Sequence, residues 1–143
     1  MNADMKNAEG YADTVPFEAM KNIGREERKA SRYAFRPLVY ICCPFSDSPE
    51  TNIEKAKQYC RFALDAGQIP LCPVLMFPQF MDETNPAERD LAIFMDIILM
   101  GKCKEVWAFD RITSGMASEI SRANRRGQKV RYWTKEMKEV GSL

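Results

Sequence analysis

The sequence predicts an α/β domain between residues 37 and 133, in which helices wrap a parallel sheet. Short continuous apolar runs, typical of strands buried on both faces, alternate there with longer segments of helical periodicity. Four strands and three helices follow one another in the order that right-handed crossovers between parallel strands produce. Ligands of such sheets bind outside the carboxyl ends of the strands, so we expect a site in the loops that follow them.

The first strand is predicted from the apolar run at residues 38–43, which Pro44 ends. A helix follows at residues 49–66. Ser48 is a favourable N-cap before a proline at the first helical position, and Gly67 is a favourable C-terminal cap.

A second strand is predicted within residues 69–75, where Pro70 and Pro73 restrict part of it to an edge or irregular strand. A long loop rich in large apolar residues comes next, at residues 76–84. Asparagine, proline and glutamate in the order of a capping motif then begin a helix that spans residues 85–101.

The second half of the chain predicts a third strand at residues 104–109, a helix at residues 113–127 and a last strand at residues 128–133. The polar tail from Thr134 predicts a short helix. The first 33 residues predict a polar leader and a partly charged helix, which leaves the α/β domain as residues 34–143 of the chain.

Composition excludes several classes of function. With 21 basic and 20 acidic residues the net charge is +1, so nothing favours nucleic acid or a membrane surface as a partner. No apolar run reaches the roughly 20 residues that span a bilayer, and no signal-peptide apolar segment is present. The five cysteines are an odd number without a CxxC pair, which indicates a reducing compartment. We therefore expect a cytoplasmic protein.

The chain contains no histidine. Serine–histidine and cysteine–histidine nucleophilic machinery is therefore excluded, and so are imidazole metal sites. Acid–base chemistry must use carboxylates, tyrosine, cysteine or lysine. We expect neither a metal nor another cofactor.

The loop after the first strand supplies candidate substrate contacts, because its hydroxyls precede a helix whose free N–H groups and dipole favour an anion. The candidates are Cys43, Pro44, Phe45, Ser46 and Ser48. The alternative is that its polar residues only cap the helix.

The loop after the third strand supplies further substrate-contact candidates and a carboxylate. The contacts are Asp110, Thr113, Ser114, Gly115 and Met116. A glycine at this junction allows a ligand to approach the backbone closely. Glu119 follows four residues later on the same helix face, and its side chain is expected to lean toward the site. The alternative is a glutamate that only complements the helix dipole.

Two motifs carry a family resemblance. The first is the strand Val39–Cys42 followed by Pro44 and Phe45, and the second is Ser114–Ile120, a Ser-Gly pair followed by a glutamate. Both resemble motifs of the nucleoside 2-deoxyribosyltransferase-like superfamily. The similarity covers about 100 of the 143 residues and is strongest to small phage and mobile-element proteins of that superfamily.

The resemblance implies a flavodoxin-like or Rossmann-like three-layer fold with a four- to five-stranded parallel sheet. It also implies cleavage of the N-glycosidic bond of a nucleotide or nucleoside. Glu119 would attack C1′ of the sugar, and Tyr40 would orient that nucleophile. A second carboxyl would protonate the leaving base: Asp90 is the first candidate and Asp96, within an apolar stretch, is the second. A homodimer or higher homo-oligomer is implied, since a neighbouring subunit often completes the sites of this family.

The chain departs from the family at Thr113, because the transferases carry an aspartate six residues before the glutamate. The family's nucleoside monophosphate hydrolases have a hydroxyl residue there that holds the 5′-phosphate. We therefore expect a nucleotide rather than a free nucleoside, although Asp110 is near enough to substitute for the aspartate.

Other interpretations remain open. The chain could be a non-catalytic nucleotide sensor or sequestering protein, such as a phage accessory protein. The apolar loop 76–81 could be a partner surface, a lid or a dimer contact. A transferase using Cys42 or Cys43 would need a basic partner for its thiol. Asp90 could equally be a solvated charge, and Tyr40 an ordinary strand aromatic.

Overall fold

The computed structural model describes residues 33–143, and the α/β unit spans Arg36–Leu143. The leader and helix predicted for residues 1–33 lie outside the described residues, Tyr33 excepted. In the part of the chain that is described, no helix is long and apolar enough to cross a bilayer.

A five-stranded sheet forms the centre of the unit, in the order β2-β1-β3-β4-β5. Its first four members pair in parallel and β5 pairs antiparallel with β4. The strands are β1 (Leu38–Cys42), β2 (Ile69–Leu71), β3 (Glu105–Phe109), β4 (Lys129–Trp133) and β5 (Glu139–Val140). This order matches the flavodoxin-like arrangement, so the predicted α/β class is confirmed.

Three helices cover the two faces of this sheet. They are α1 (Pro49–Asp65), α2 (Pro86–Gly101) and α3 (Ser114–Arg125). Apolar side chains of α1 pack on one face, and those of α2 and α3 pack on the other. Two short 3₁₀ turns, Pro73–Leu75 and Phe77–Gln79, connect β2 to α2. The result is three layers, each helix burying its apolar stripe against the sheet.

Strand β1 contributes to both cores because successive side chains of a strand point to opposite faces. Val39 and Ile41 belong to the core under α1, which also contains the stacked rings of Tyr59 and Phe109. Tyr40 and Cys42 belong to the core under α2 and α3.

The connections define where a ligand fits. The chain leaves β1 toward α1 on one face, and it leaves neighbouring β3 toward α3 on the other. In open α/β sheets the ligand crevice lies where two such connections diverge, which here is between the loop at residues 43–48 and the loop at residues 110–113. Both loops carry residues that the sequence nominated.

Two elements differ from the sequence-based prediction. The tail is a strand, β5, where a short helix was predicted, because Arg131 and Glu139 form a two-pronged ion pair and Val140 pairs with Tyr132. The second strand ends at Leu71, since the chain turns into a 3₁₀ helix at Pro73.

The two predicted proline-linked helix starts also differ from one another. Asn85 caps α2, and its side-chain oxygen accepts hydrogen bonds from the N–H groups of Ala87 and Glu88. Ser48 occupies the N-cap position of α1, but its hydroxyl makes no capping hydrogen bond. Its hydroxyl is therefore available for another contact.

Replacing Asn85 by alanine is expected to lower the free energy of unfolding by about 1 kcal/mol, because two N–H groups lose their side-chain acceptor. Ser48→Ala is the matched control, with an expected change of less than about 0.5 kcal/mol. Urea unfolding followed by circular dichroism measures both, and equal losses would contradict these cap assignments.

Candidate active site

Glu119 lies in the second turn of α3, with its carboxylate against the sheet. The Tyr40 hydroxyl donates a hydrogen bond to Oε2 at 2.7 Å, and the Cys42 thiol donates one to Oε1 at 3.2 Å. Tyr40 and Cys42 are 2% and 1% exposed. The two donors stand two residues apart on β1, so both face α3 and each carboxylate oxygen has a donor of its own.

The way in which α3 begins places Glu119 against the sheet. Thr113 caps α3, and its hydroxyl oxygen accepts a hydrogen bond from the Met116 N–H at 3.3 Å. Met116 and Ile120 are buried in the core under α2 and α3. Because Glu119 lies three residues after Met116 and four before the buried Ala123, it follows the same helix face toward the sheet.

The environment of Glu119 pulls its pKa in two directions. Burial raises the pKa, because it disfavours the charged form, and the hydrogen bonds from Tyr40 and Cys42 lower it. Burial is the larger effect, so the pKa lies above its ordinary value. The two donors limit that rise and favour the ionised carboxylate.

A second carboxyl belongs to the same cluster. Asp96 on α2 is half-buried, and its buried Oδ1 has no hydrogen-bond partner among residues 33–143. Burial raises the pKa of Asp96 to about 7, and the charges of Glu119 and Glu83 add to the rise. Asp96 therefore keeps its proton to a higher pH than an exposed aspartate does, and Glu119 acts on it as a nearby negative charge.

Tyr40 and Cys42 remain protonated in this surrounding. Burial raises the pKa of both, and the negative charges of Glu119 and Asp96 raise it further. Both side chains therefore act as neutral hydrogen-bond donors near neutral pH. Of the candidate catalytic residues, the structure brings Tyr40, Asp96 and Glu119 together, and it adds Cys42.

Asp90 is not part of this cluster. It is exposed on α2, six residues before Asp96. Six residues correspond to about 240° around a helix, so the two side chains leave α2 in different directions. Between the two acids nominated from the sequence, the geometry favours Asp96.

From the sequence, Cys42 was considered only as a possible nucleophile, whereas its neighbour Cys43 was a candidate substrate contact. Cys43 is buried in the core under α1, on the face of the sheet opposite to Glu119. The strand alternation contained the missing signal: if Tyr40 orients the glutamate, then Cys42 shares its face and Cys43 does not.

The first loop is held in place by Asn52, a buried polar residue of α1. Its amide donates to the Phe45 carbonyl at 2.9 Å and to Oδ1 of Asp47 at 2.8 Å. Pro44 is buried and Phe45 is half-buried, whereas Ser46 and Ser48 are exposed. The two serine hydroxyls are thus open to a ligand.

The loop at residues 110–113 is strained, and an ion pair links it to the loop at residues 43–48. Asp110 has a φ of 77°, in the left-handed region, which costs energy for a residue other than glycine. Its N–H donates to the Trp133 carbonyl at 3.0 Å. Arg111 pairs with Asp110 and also with Asp47, so an ion pair joins the two loops beside the crevice.

The beginning of α3 is open. Ser114 and Gly115 are exposed, and a Cβ added to Gly115 would meet nothing within 4 Å. Met116, which was nominated as a substrate contact, is buried in the core. Within residues 33–143, no group of three or more Cys, Asp or Glu side chains is arranged to hold a metal ion.

Comparisons with known proteins add a family. No curated protein and no solved structure matches the chain significantly. One family model does match, over residues 37–133, and this range contains Tyr40, Asp96 and Glu119. By that match the chain belongs to the family described as a domain of unknown function, DUF7768.

Proposed function

We propose that this protein cleaves the N-glycosidic bond of a nucleotide or nucleoside through a covalent intermediate on Glu119. One observation carries the proposal: a half-buried carboxylate with two donors stands in one cluster with a carboxyl whose pKa is about 7. Two carboxyls in unlike environments are the arrangement that divides a nucleophile from a general acid. The resemblance to the nucleoside 2-deoxyribosyltransferase-like superfamily supports the same roles.

In the first step, an oxygen of the ionised Glu119 forms a bond to C1′ of the sugar. The bond from C1′ to the base nitrogen breaks, and its electron pair stays with the base. Asp96 delivers the proton that makes the base a neutral leaving group.

In the second step, water or another base attacks C1′ and displaces the Glu119 carboxylate. Asp96, now ionised, accepts the proton that the incoming nucleophile loses. Glu119 and Asp96 thereby return to their starting states, as microscopic reversibility requires.

The surroundings of the crevice favour a substrate that carries phosphate. The exposed hydroxyls of Ser46, Ser48 and Ser114 surround two helix N-termini, where N–H groups and the dipole attract anions. Arg111 adds a cation beside them, paired with the carboxylates of Asp47 and Asp110. Thr113, in place of the transferase aspartate, is a further argument for a nucleotide over a free nucleoside.

A second candidate function is a non-catalytic nucleotide sensor or sequestering protein on the same scaffold, as in a phage accessory protein. The observation that favours it is Thr113, since the aspartate of the family's transferases is missing there. Binding of a nucleotide without release of base by the wild-type protein would favour this function.

Glu119→Gln is expected to bind substrate but to release no base. The amide has the shape of the carboxylate but does not attack C1′. The purified protein is incubated with ribo- and deoxyribonucleotides, nucleosides and NAD. Chromatography detects free base, and isothermal calorimetry measures binding to each variant. Glu54→Gln, an exposed change on α1, is the control. Undiminished release by Glu119→Gln would contradict the proposal.

Asp96→Asn and Asp90→Asn test the identity of the general acid. The first is expected to reduce kcat at least 100-fold on ordinary bases, and much less on a substrate whose leaving group needs no proton. The second is expected to leave both rates within twofold, since Asp90 lies outside the cluster. Steady-state assays with both substrates measure this, and the reverse order would assign the role to Asp90.

The pH dependence follows from the same pKa. Asp96 must be protonated for the first step, so kcat/KM of the wild-type enzyme is expected to fall as the pH rises through about 7. With the activated leaving group this fall disappears, because no proton has to be delivered. Its persistence with that substrate would mean that another group titrates.

We also propose that two copies of the chain associate through α2. Leu91, Phe94 and Ile98 are 50%, 59% and 45% exposed, and their spacing places them on one stripe of the helix that carries Asp96. Two such stripes are complementary to one another, since a two-fold interface uses the same patch twice.

Phe94→Glu is expected to shift the protein from dimer to monomer, because it places a charge in the apolar contact. Light scattering after gel filtration measures the mass. Lys57→Glu, an exposed charge change on α1, is the control and should remain dimeric. A monomeric wild-type protein would contradict the interface.

A further inference from the structure

The Cys42 thiol is the second donor to Glu119. It ends β1, it is 1% exposed, and its Sγ lies 3.2 Å from Oε1. The Tyr40 hydroxyl holds the other oxygen at 2.7 Å. One donor on each oxygen fixes both the position and the plane of the carboxylate.

We propose that Cys42 is a positioning residue, whose S–H group holds Oε1 of Glu119 in place and stabilises the carboxylate for attack. The inference rests on the proposed function for its catalytic meaning. Its physical content is a hydrogen bond to the charged form of Glu119, which stabilises that form whether or not turnover follows.

A role as nucleophile does not fit Cys42. A reactive thiol needs a nearby positive charge or a base that removes its proton. The groups that act on Cys42 are Glu119, Asp96 and the neighbouring Cys43 thiol, and each of them opposes ionisation. The thiol therefore keeps its proton and serves as a donor.

Simple packing is the competing explanation, because Cys42 is also part of the core under α2 and α3. Three substitutions separate the two roles. Cys42→Ser keeps a donor, Cys42→Val fills the volume without a donor, and Cys42→Ala removes both. Cys103→Ala is the matched control, since this buried thiol of the same core donates to the Leu99 carbonyl at 3.5 Å and not to Glu119.

The decisive measurement is the pKa of the Glu119 carboxyl, followed by NMR of protein with ¹³C-labelled glutamate side chains. The titratable groups that face this carboxyl are Tyr40 and Cys42 from β1 and Asp96 from α2. Each substitution is therefore also made in an Asp96→Asn background, so that Glu119 titrates without its coupled partner.

Cys42→Ala and Cys42→Val are both expected to raise the pKa of Glu119 by about 0.5 to 1 pH unit, because the charged form loses a donor. Cys42→Ser is expected to restore the wild-type value, and Cys103→Ala to leave it unchanged. An unchanged pKa in both the alanine and valine variants would overturn the proposal. If alanine prevents folding, the valine and serine variants decide the matter.

The pH profile of base release separates this inference from the proposed function. If the proposed function and the role of Cys42 are both right, the acidic limb of the kcat/KM profile moves to higher pH in Cys42→Val. In Cys42→Ser this limb lies at the wild-type pH. If base is released but the Glu119 pKa does not change in the Cys42 variants, the proposed enzymatic function stands and the role of Cys42 is wrong. If the pKa changes but the protein never releases base, the proposed enzymatic function is wrong and the hydrogen bond from Cys42 stands.

Discussion

The double burial of strand β1 is the constraint on which the rest of the structure depends. Its side chains alternate between a core under α1 and a core under α2 and α3. A shift of one residue in its pairing would exchange the two sets. Tyr40 and Cys42 would then face α1, and Glu119 would lose both donors. The packing that fixes the register of this strand therefore also fixes the candidate site.

The same layering explains why the half-buried carboxylate of Glu119 is tolerated. Glu119 is taken from water by the packing of α3, and this burial alone would favour its neutral form. Donors from the strand beneath offset part of that cost. Asp96 receives no such donors, and its Oδ1 has no partner within the described residues. One layer of side chains thus gives two chemically similar carboxyls different surroundings, one with two hydrogen-bond donors and one with none in residues 33–143.

Much of the fold could be predicted because local sequence patterns determine it. The buried runs of β1 and β3 are continuous and apolar, and α2 begins at a capping motif. The tail could not be predicted in this way. Strand β5 exists because Glu139 pairs with Arg131, and a polar local sequence contains no sign of a contact made across a turn.

In the candidate site, too, some residues could be identified from local sequence and others only from the packing. Glu119 and Tyr40 could be nominated because each stands within a recognisable motif. The choice between Asp90 and Asp96 depended on which face of α2 meets α3, and this is decided by packing. Asp96 stands between Met95 and Ile97, and a charge in an apolar stretch of helix is a signal of burial that the sequence does contain.

The pair Cys42 and Cys43 shows how far strand parity alone can discriminate. Both thiols are buried, and composition, hydropathy and residue type do not distinguish them. Their positions along the strand do distinguish them. Cys42 is two residues from Tyr40 and shares its face of the sheet, whereas Cys43 is three residues away and points to the opposite face. The thiol that contacts the carboxylate and the thiol that fills the opposite core are therefore separated by one peptide unit. Cys43 therefore cannot take the place of Cys42 against Glu119.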